Sequence, residues 1–267
     1  MTVTVMTPAA PRPATSTLVV HLLGRFRVRL DGVAVDDWPS GRGRSLFKYL
    51  LVHRDLPPQR DVLMEVFWPD APPAAARNSL NVAVHGLRRA LRAAADVPVV
   101  VLRDGAYRLA EDLALWVDVD EFERHAAAGR RLEAAGAHAG AVAEYELAAE
   151  LYNGDLLADD PYEDWPVLAR ERLRLAHLDV LDRQSRLHFD QGRYGASAAL
   201  CLDLLERDAC REDAHRRLIR CYSRQGHPHL ALRQYRACAA TLRDELGVDP
   251  APATVGLHEA VRRHQPV

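Results

Sequence analysis

Asn78, Asn81, His85, Arg88 and Arg92 recur at i, i+3, i+7, i+10 and i+14. That spacing gathers side chains onto one face of an α-helix turning about 100° per residue. Carboxamides and forked guanidinium groups on one face match the donor and acceptor edges that guanine and adenine show in a DNA major groove. Arg77 and Arg89 widen the face to an arc of roughly 120°. Leu80, Val84, Leu87 and Leu91 recur on the opposite side as a candidate core stripe. All of them lie between Asp70 and Asp96, twenty-five residues without an acidic side chain. Arginine content alone carries little weight, because Lys48 is the only lysine among 35 basic residues. A solvated amphipathic face would have the same composition. The elements around the helix must decide between the two readings.

Leu18 to Leu30 alternates apolar and polar residues and predicts a half-buried strand. An Asp31-Gly32 turn leads to a second at Val33 to Val35. Two short helices follow at Ser45 to His53 and Arg60 to Trp68, divided by Leu56-Pro57-Pro58 and closed by Pro69. Pro72-Pro73 opens the long basic helix, as proline does in a first helical turn. Pro98 to Leu102 and Tyr107 to Leu109 flank Arg103-Asp104-Gly105-Ala106, a β-hairpin pattern. Strands, three helices and a hairpin, with the third helix basic, make a winged helix-turn-helix.

The resemblance goes further. Ser79 to Leu91 (S-L-N-V-A-V-H-G-L-R-R-A-L) resembles the third helix of the OmpR/PhoB subtype, and Arg103 to Arg108 (R-D-G-A-Y-R) resembles its wing. Carried over by position, the resemblance implicates Asn78, Ser79, Asn81, Ala83, His85, Gly86 and Arg88 on the helix, and Arg103 and Tyr107 on the wing. Ala83 and Gly86 stand where the subtype often has large polar residues, so the base-reading set is expected to be smaller. Arg77 completes the basic arc, while Arg89 and Arg92 are assigned to phosphates, which fix register without reading sequence.

From Asp118 onward the pattern is helical and repetitive. Gln191-Gly192 and Gln225-Gly226 are 34 residues apart, the tetratricopeptide period. Gly136, Ala141, Tyr145 and Ala148 share their spacing with Gly226, Ala231, Tyr235 and Cys238, small residues that let paired helices approach closely. An acidic, turn-rich segment from Asn153 to Trp165 precedes a long helix expected from about Pro166 to Gln191.

Three stretches make the whole similar to the SARP-type antibiotic regulatory proteins, whose second half is the bacterial transcriptional activator domain. They are Trp68 to Leu80 (W-P-D-A-P-P-A-A-A-R-N-S-L), Asp118 to Glu123 (D-V-D-E-F-E) and Ala231 to Pro250 (A-L-R-Q-Y-R-A-C-A-A-T-L-R-D-E-L-G-V-D-P). The resemblance implies a cytoplasmic, nucleoid-associated transcriptional activator. It would bind double-stranded promoter DNA at direct repeats near the −35 region, beside a second protomer on the adjacent repeat. It would contact the sigma and alpha subunits of RNA polymerase and control a secondary-metabolite cluster. No receiver domain is expected before Leu18, and the single lysine excludes a G-K-[ST] phosphate loop.

Bulk properties bound the alternatives. At 267 residues and 48% hydrophobic, the chain can bury a sizeable core. The expected fold is mostly α with a small β component. It comprises a disordered leader over 1–17, a winged helix over 18–115 and a tetratricopeptide-like helical domain over 116–267. The net charge of −2 divides into +4 over residues 1–115 and −6 over 116–267. A basic half suits a polyanion, and an acidic half suits a different partner. No secretory signal or membrane-length apolar run occurs, so no membrane partner is expected. Cys201, Cys210, Cys221 and Cys238 contain no C-x-x-C pair and read as reduced core thiols. His227-Pro228-His229 lacks companion ligands at metal spacing, and the acids Asp159, Asp160, Glu163 and Asp164 lack the pattern of a calcium loop. No catalytic constellation is present, so neither enzyme nor cofactor is expected. A tetratricopeptide adaptor, or a ligand-sensing scaffold whose winged helix binds protein, is the alternative.

Overall fold

The computed structural model describes residues 16–38 and 41–267. The expected leader falls outside them except for its last two residues, of which Thr17 already opens a strand. The chain forms two compact units, one of residues 1–117 with 163–166, the other of 118–162 with 167–267.

The first unit holds β1 (Thr17–His21), β2 (Arg27–Leu30), β3 (Val33–Ala34), α1 (Gly43–Val52), α2 (Arg60–Phe67), α3 (Pro73–Ala94), β4 (Val100–Arg103), β5 (Ala106–Leu109) and β6 (Ala114–Val117). Its larger sheet has the order β3-β2-β1-β6. The strand expected over Leu18 to Leu30 is in fact a hairpin. Gly24 takes φ +90°, and β1 then pairs antiparallel with β2, Leu18 opposite Leu30 and Val20 opposite Val28. Both arms face their apolar residues to the same side, so one alternating pattern serves two strands. The parallel partner of β1 is β6, with Val20 opposite Val117. No strand was expected there, and it carries this sheet two residues beyond Leu115.

Leu18, Val20 and Leu30 of the sheet, Leu46, Phe47 and Leu50 of α1, Leu63 and Phe67 of α2, and Leu80, Leu87 and Leu91 of α3 are all at most 2% exposed. Each leucine buried this way stabilises the unit by roughly 1.5–3 kcal/mol. The segment 163–166 belongs to the same unit through Trp165, whose ring lies 5.0 Å from that of Tyr49 and 6.0 Å from His53.

The second unit is all helical among the described residues: α4 (Asp118–Ala134), α5 (His138–Leu151), α6 (Val167–Asp190), α7 (Tyr194–Arg207), α8 (Glu212–Arg224), α9 (Pro228–Leu246) and α10 (Pro252–Arg262). Helices α4 and α5, α6 and α7, and α8 and α9 pack as hairpins, and α10 packs on the last. Gly136, Gly192 and Gly226 end the first helix of each hairpin at φ +74°, +73° and +78°. At each one the following N–H reaches five residues back, Ala137 to Leu132, Arg193 to His188 and His227 to Tyr222. That is the Schellman closure, which only glycine adopts without strain. The small-residue pattern lies at the hairpin seams. Ala141, Tyr145 and Ala148 are fully buried, and the Tyr145 ring fills the space that a Cβ on Gly129 would occupy, 2.4 Å from its Cε1. Charged pairs join successive hairpins, with Arg172 on Glu123, Arg183 and Arg186 on Glu133, and Arg217 on Asp182. No described helix is long and apolar enough to cross a membrane.

Candidate nucleic-acid interface

Helix α3 runs for 22 residues with Pro73 at its start and no acidic residue in its first turn. Its buried stripe is Ala76, Leu80, Ala83, Val84, Leu87, Ala90 and Leu91. The opposite face exposes Arg77, Asn78, Asn81, His85, Arg89 and Arg92, while Ser79, Gly86 and Arg88 are half-buried. Among the described residues, Arg77, Arg89 and Arg92 have neither an acidic partner nor an internal hydrogen bond. Guanidinium groups held out in this way attract a phosphate backbone.

Two residues expected at the interface are not at the surface. Ala83 is 8% exposed because α1 crosses α3 there. A Cβ on Gly43 would come within 3.1 Å of the Ala83 carbonyl oxygen. Tyr107 is 4% exposed, since β5 turns it into the core and ties its N–H to the Pro58 carbonyl at 3.1 Å. Arg88 takes a structural role. Its Nε donates to the Val100 carbonyl at 3.0 Å and fastens the first wing strand to the helix. Asn81 is not wholly free either, because the Arg60 guanidinium donates to its Oδ1 at 3.4 Å.

Strands β4 and β5 meet at Asp104 and Gly105, with φ of +52° and +79°. Positive φ at both positions is the tight hairpin turn that matches strand twist. The hairpin is braced at its tip. Arg60 N–H donates to the Gly105 carbonyl at 3.1 Å, and a Cβ on Gly105 would sit 2.9 Å from Gln59 Oε1. Arg103 is exposed beside this turn and pairs with exposed Glu111 at 3.1 Å. Such a pair is weak in water and is readily exchanged for a phosphate.

Pattern reasoning passed over Val82. It lies 64% exposed on the outward face and lines a concavity of about 290 Å³ with Asn78, Ser79, Gly86, Gly43 and Trp68. As an apolar residue it is counted toward a core by composition, although helical spacing places it opposite Leu80 and Leu87. Its place beside Asn78 and Asn81 in the sequence was the available signal. His227 and His229, with rings 6.0 Å apart, gather no further ligands, and no metal-binding cluster occurs among the described residues.

The family model described as the bacterial transcriptional activator domain matches residues 117–262. The chain is 31% identical over 257 residues to the transcriptional regulatory protein EmbR of Mycobacterium tuberculosis, a match covering 92% of this chain and 63% of EmbR. It is 28% identical over 255 residues to the regulatory protein DnrI of Streptomyces peucetius, covering 92% and 93%. A solved structure of Mycobacterium tuberculosis EmbR in complex with a low-affinity phosphopeptide superposes with a TM-score of 0.78 at 26% identity, covering 94% of this chain and 66% of that one. The chain thus spans less than two thirds of the EmbR sequences it matches.

Proposed function

We infer the function from the premise that this chain belongs to the family of the bacterial transcriptional activator domain, as a SARP-type regulator with a winged helix ahead of that domain. It binds promoter DNA sequence-specifically through α3, braced by the wing, and activates transcription through its helical unit. The observation that carries this reading is the outward face of α3. Asn78, Asn81 and His85 stand exposed between Arg77, Arg89 and Arg92, on a helix whose other face is locked into the core. The site then comprises Arg77, Asn78, Ser79, Asn81, His85, Gly86, Arg89, Arg92 and Arg103, with Arg88 as a tether.

EmbR and DnrI are named as regulatory proteins, and that class of activity is carried to this chain here. The binding sites are direct repeats near the −35 region, occupied by adjacent protomers in the cytoplasm at the nucleoid. The acidic helical unit faces the sigma and alpha subunits of RNA polymerase, and the targets are genes of a secondary-metabolite cluster. Selection of duplexes from a randomised pool by the full chain, followed by transcription from them with purified polymerase, tests this. Recovery of a repeated motif and stimulated transcription are expected. A chain that enriches no motif and binds DNA without salt dependence would instead be a protein-binding adaptor.

A further inference from the structure

We propose that Val82 reads the 5-methyl group of a thymine in the bound site, an inference that rests on the DNA-binding function of α3. Val82 is the only large apolar side chain of α3 that is exposed, at 64%, whereas Leu80, Val84, Leu87 and Leu91 are at most 3% exposed. At 100° per residue it stands about 40° around the helix from Asn78, 60° from His85 and 20° from Arg89. All three lie in the same rotational direction from it, so Val82 flanks the polar reading face, about 20° beyond its Arg89 edge. Its neighbours on that side of the helix surface, Ala75, Ser79 and Gly86, are small, so α3 itself places no larger side chain over the valine. A β-branched residue in a helix is held to one χ1 rotamer, which fixes the direction of both methyl groups before DNA arrives. The polar groups beside it read the nitrogen and oxygen atoms of base edges. The one apolar feature a major groove offers is the thymine methyl, the complement of a fixed isopropyl group.

The test begins with the duplex that the full chain enriches from a randomised pool. Each thymine in it is replaced in turn by deoxyuracil, which removes only the 5-methyl group. One replacement is expected to weaken wild-type binding roughly fourfold, the worth of one methyl-sized group removed from water. Val82→Ala is expected to bind the thymine duplex more weakly by a similar factor and to lose all discrimination at that one position. An exposed helical alanine does not threaten the fold, and an unchanged circular dichroism spectrum verifies that. Wild-type indifference to every replacement, or full discrimination by Val82→Ala, would overturn the role of Val82 and leave α3 as the recognition helix. If the chain enriches no duplex at all, both readings fall together.

Discussion

In the winged-helix unit, Arg77, Arg89 and Arg92 project from α3 without an acidic partner among the described residues. In the helical unit, arginines are taken up inside the chain. Glu133 receives Arg183, Arg186 and the Tyr145 hydroxyl, Asp179 receives Arg130 and Arg183, and Asp182 receives Arg217. Burial pushes the Glu133 carboxyl up, but hydrogen bonds from Tyr145, Arg183 and Arg186 outweigh it and hold the group below the usual carboxylate range. The outward arginines of α3 are thus left without internal acids, whereas these arginines of the second unit join hairpin to hairpin. Composition, arginine-rich in both, does not separate these uses. Whether an acid stands within reach does.

The largest effect expected is confined to the helical unit. Tyr145 is fully buried over Gly129 and bonded to Glu133 at 2.8 Å. Tyr145→Ala should cost about 3–5 kcal/mol in chemical unfolding of that unit. Affinity for a single DNA site should stay near wild type. An equal loss there would break the contrast between the units.

Acid should act on the same unit. His177 is 3% exposed, stacks on Tyr152 at 4.0 Å and has a partner on neither ring nitrogen. Burial first, then Arg207, pushes its pKa down to about 4, and burial also lowers His188 and His215. The folded value lies below the unfolded value near 6.5. Stability is therefore complete above about pH 6.5 and lost as pH falls toward 4, by up to about 3 kcal/mol from His177 alone. Urea titrations between pH 7.5 and 4.5 should show this slope, and His177→Phe should flatten it. A slope unaltered by that substitution would assign the acid sensitivity elsewhere.

The wing supplies a smaller effect in the first unit. Gly105→Val places a side chain at φ +79° and against Gln59, a strain of about 1–3 kcal/mol. DNA affinity should fall while the helical unit unfolds as before. Unchanged affinity would make the hairpin a core cap only.

Much of this architecture could be read from the residues. Proline and glycine positions marked α2, α3 and the wing turn, and the 34-residue spacing of Gly192 and Gly226 marked two repeat turns of the same Schellman type. Fine placement could not be read. Ala83 and Tyr107 seemed available to DNA by position, yet one lies under α1 and the other on the core-facing side of the wing. Burial of a small or amphipathic residue depends on which element crosses it, which no local pattern encodes. Arg88 fits the polar stripe by angle, but its guanidinium is held by a carbonyl on a strand twelve residues away. The strand β6 was missed because Ala114 to Val117 is too short for alternation to register, and its pairing partner lies almost a hundred residues earlier.

The central claim is that α3 meets DNA with its outward arginines on phosphates. It is tested most directly by titrating an enriched duplex with wild-type protein and Arg92→Ala at several salt concentrations. The slope of log affinity against log salt should fall by about one unit in the variant, with all sequences weakened equally. An identical slope and affinity in the two proteins would contradict the claim.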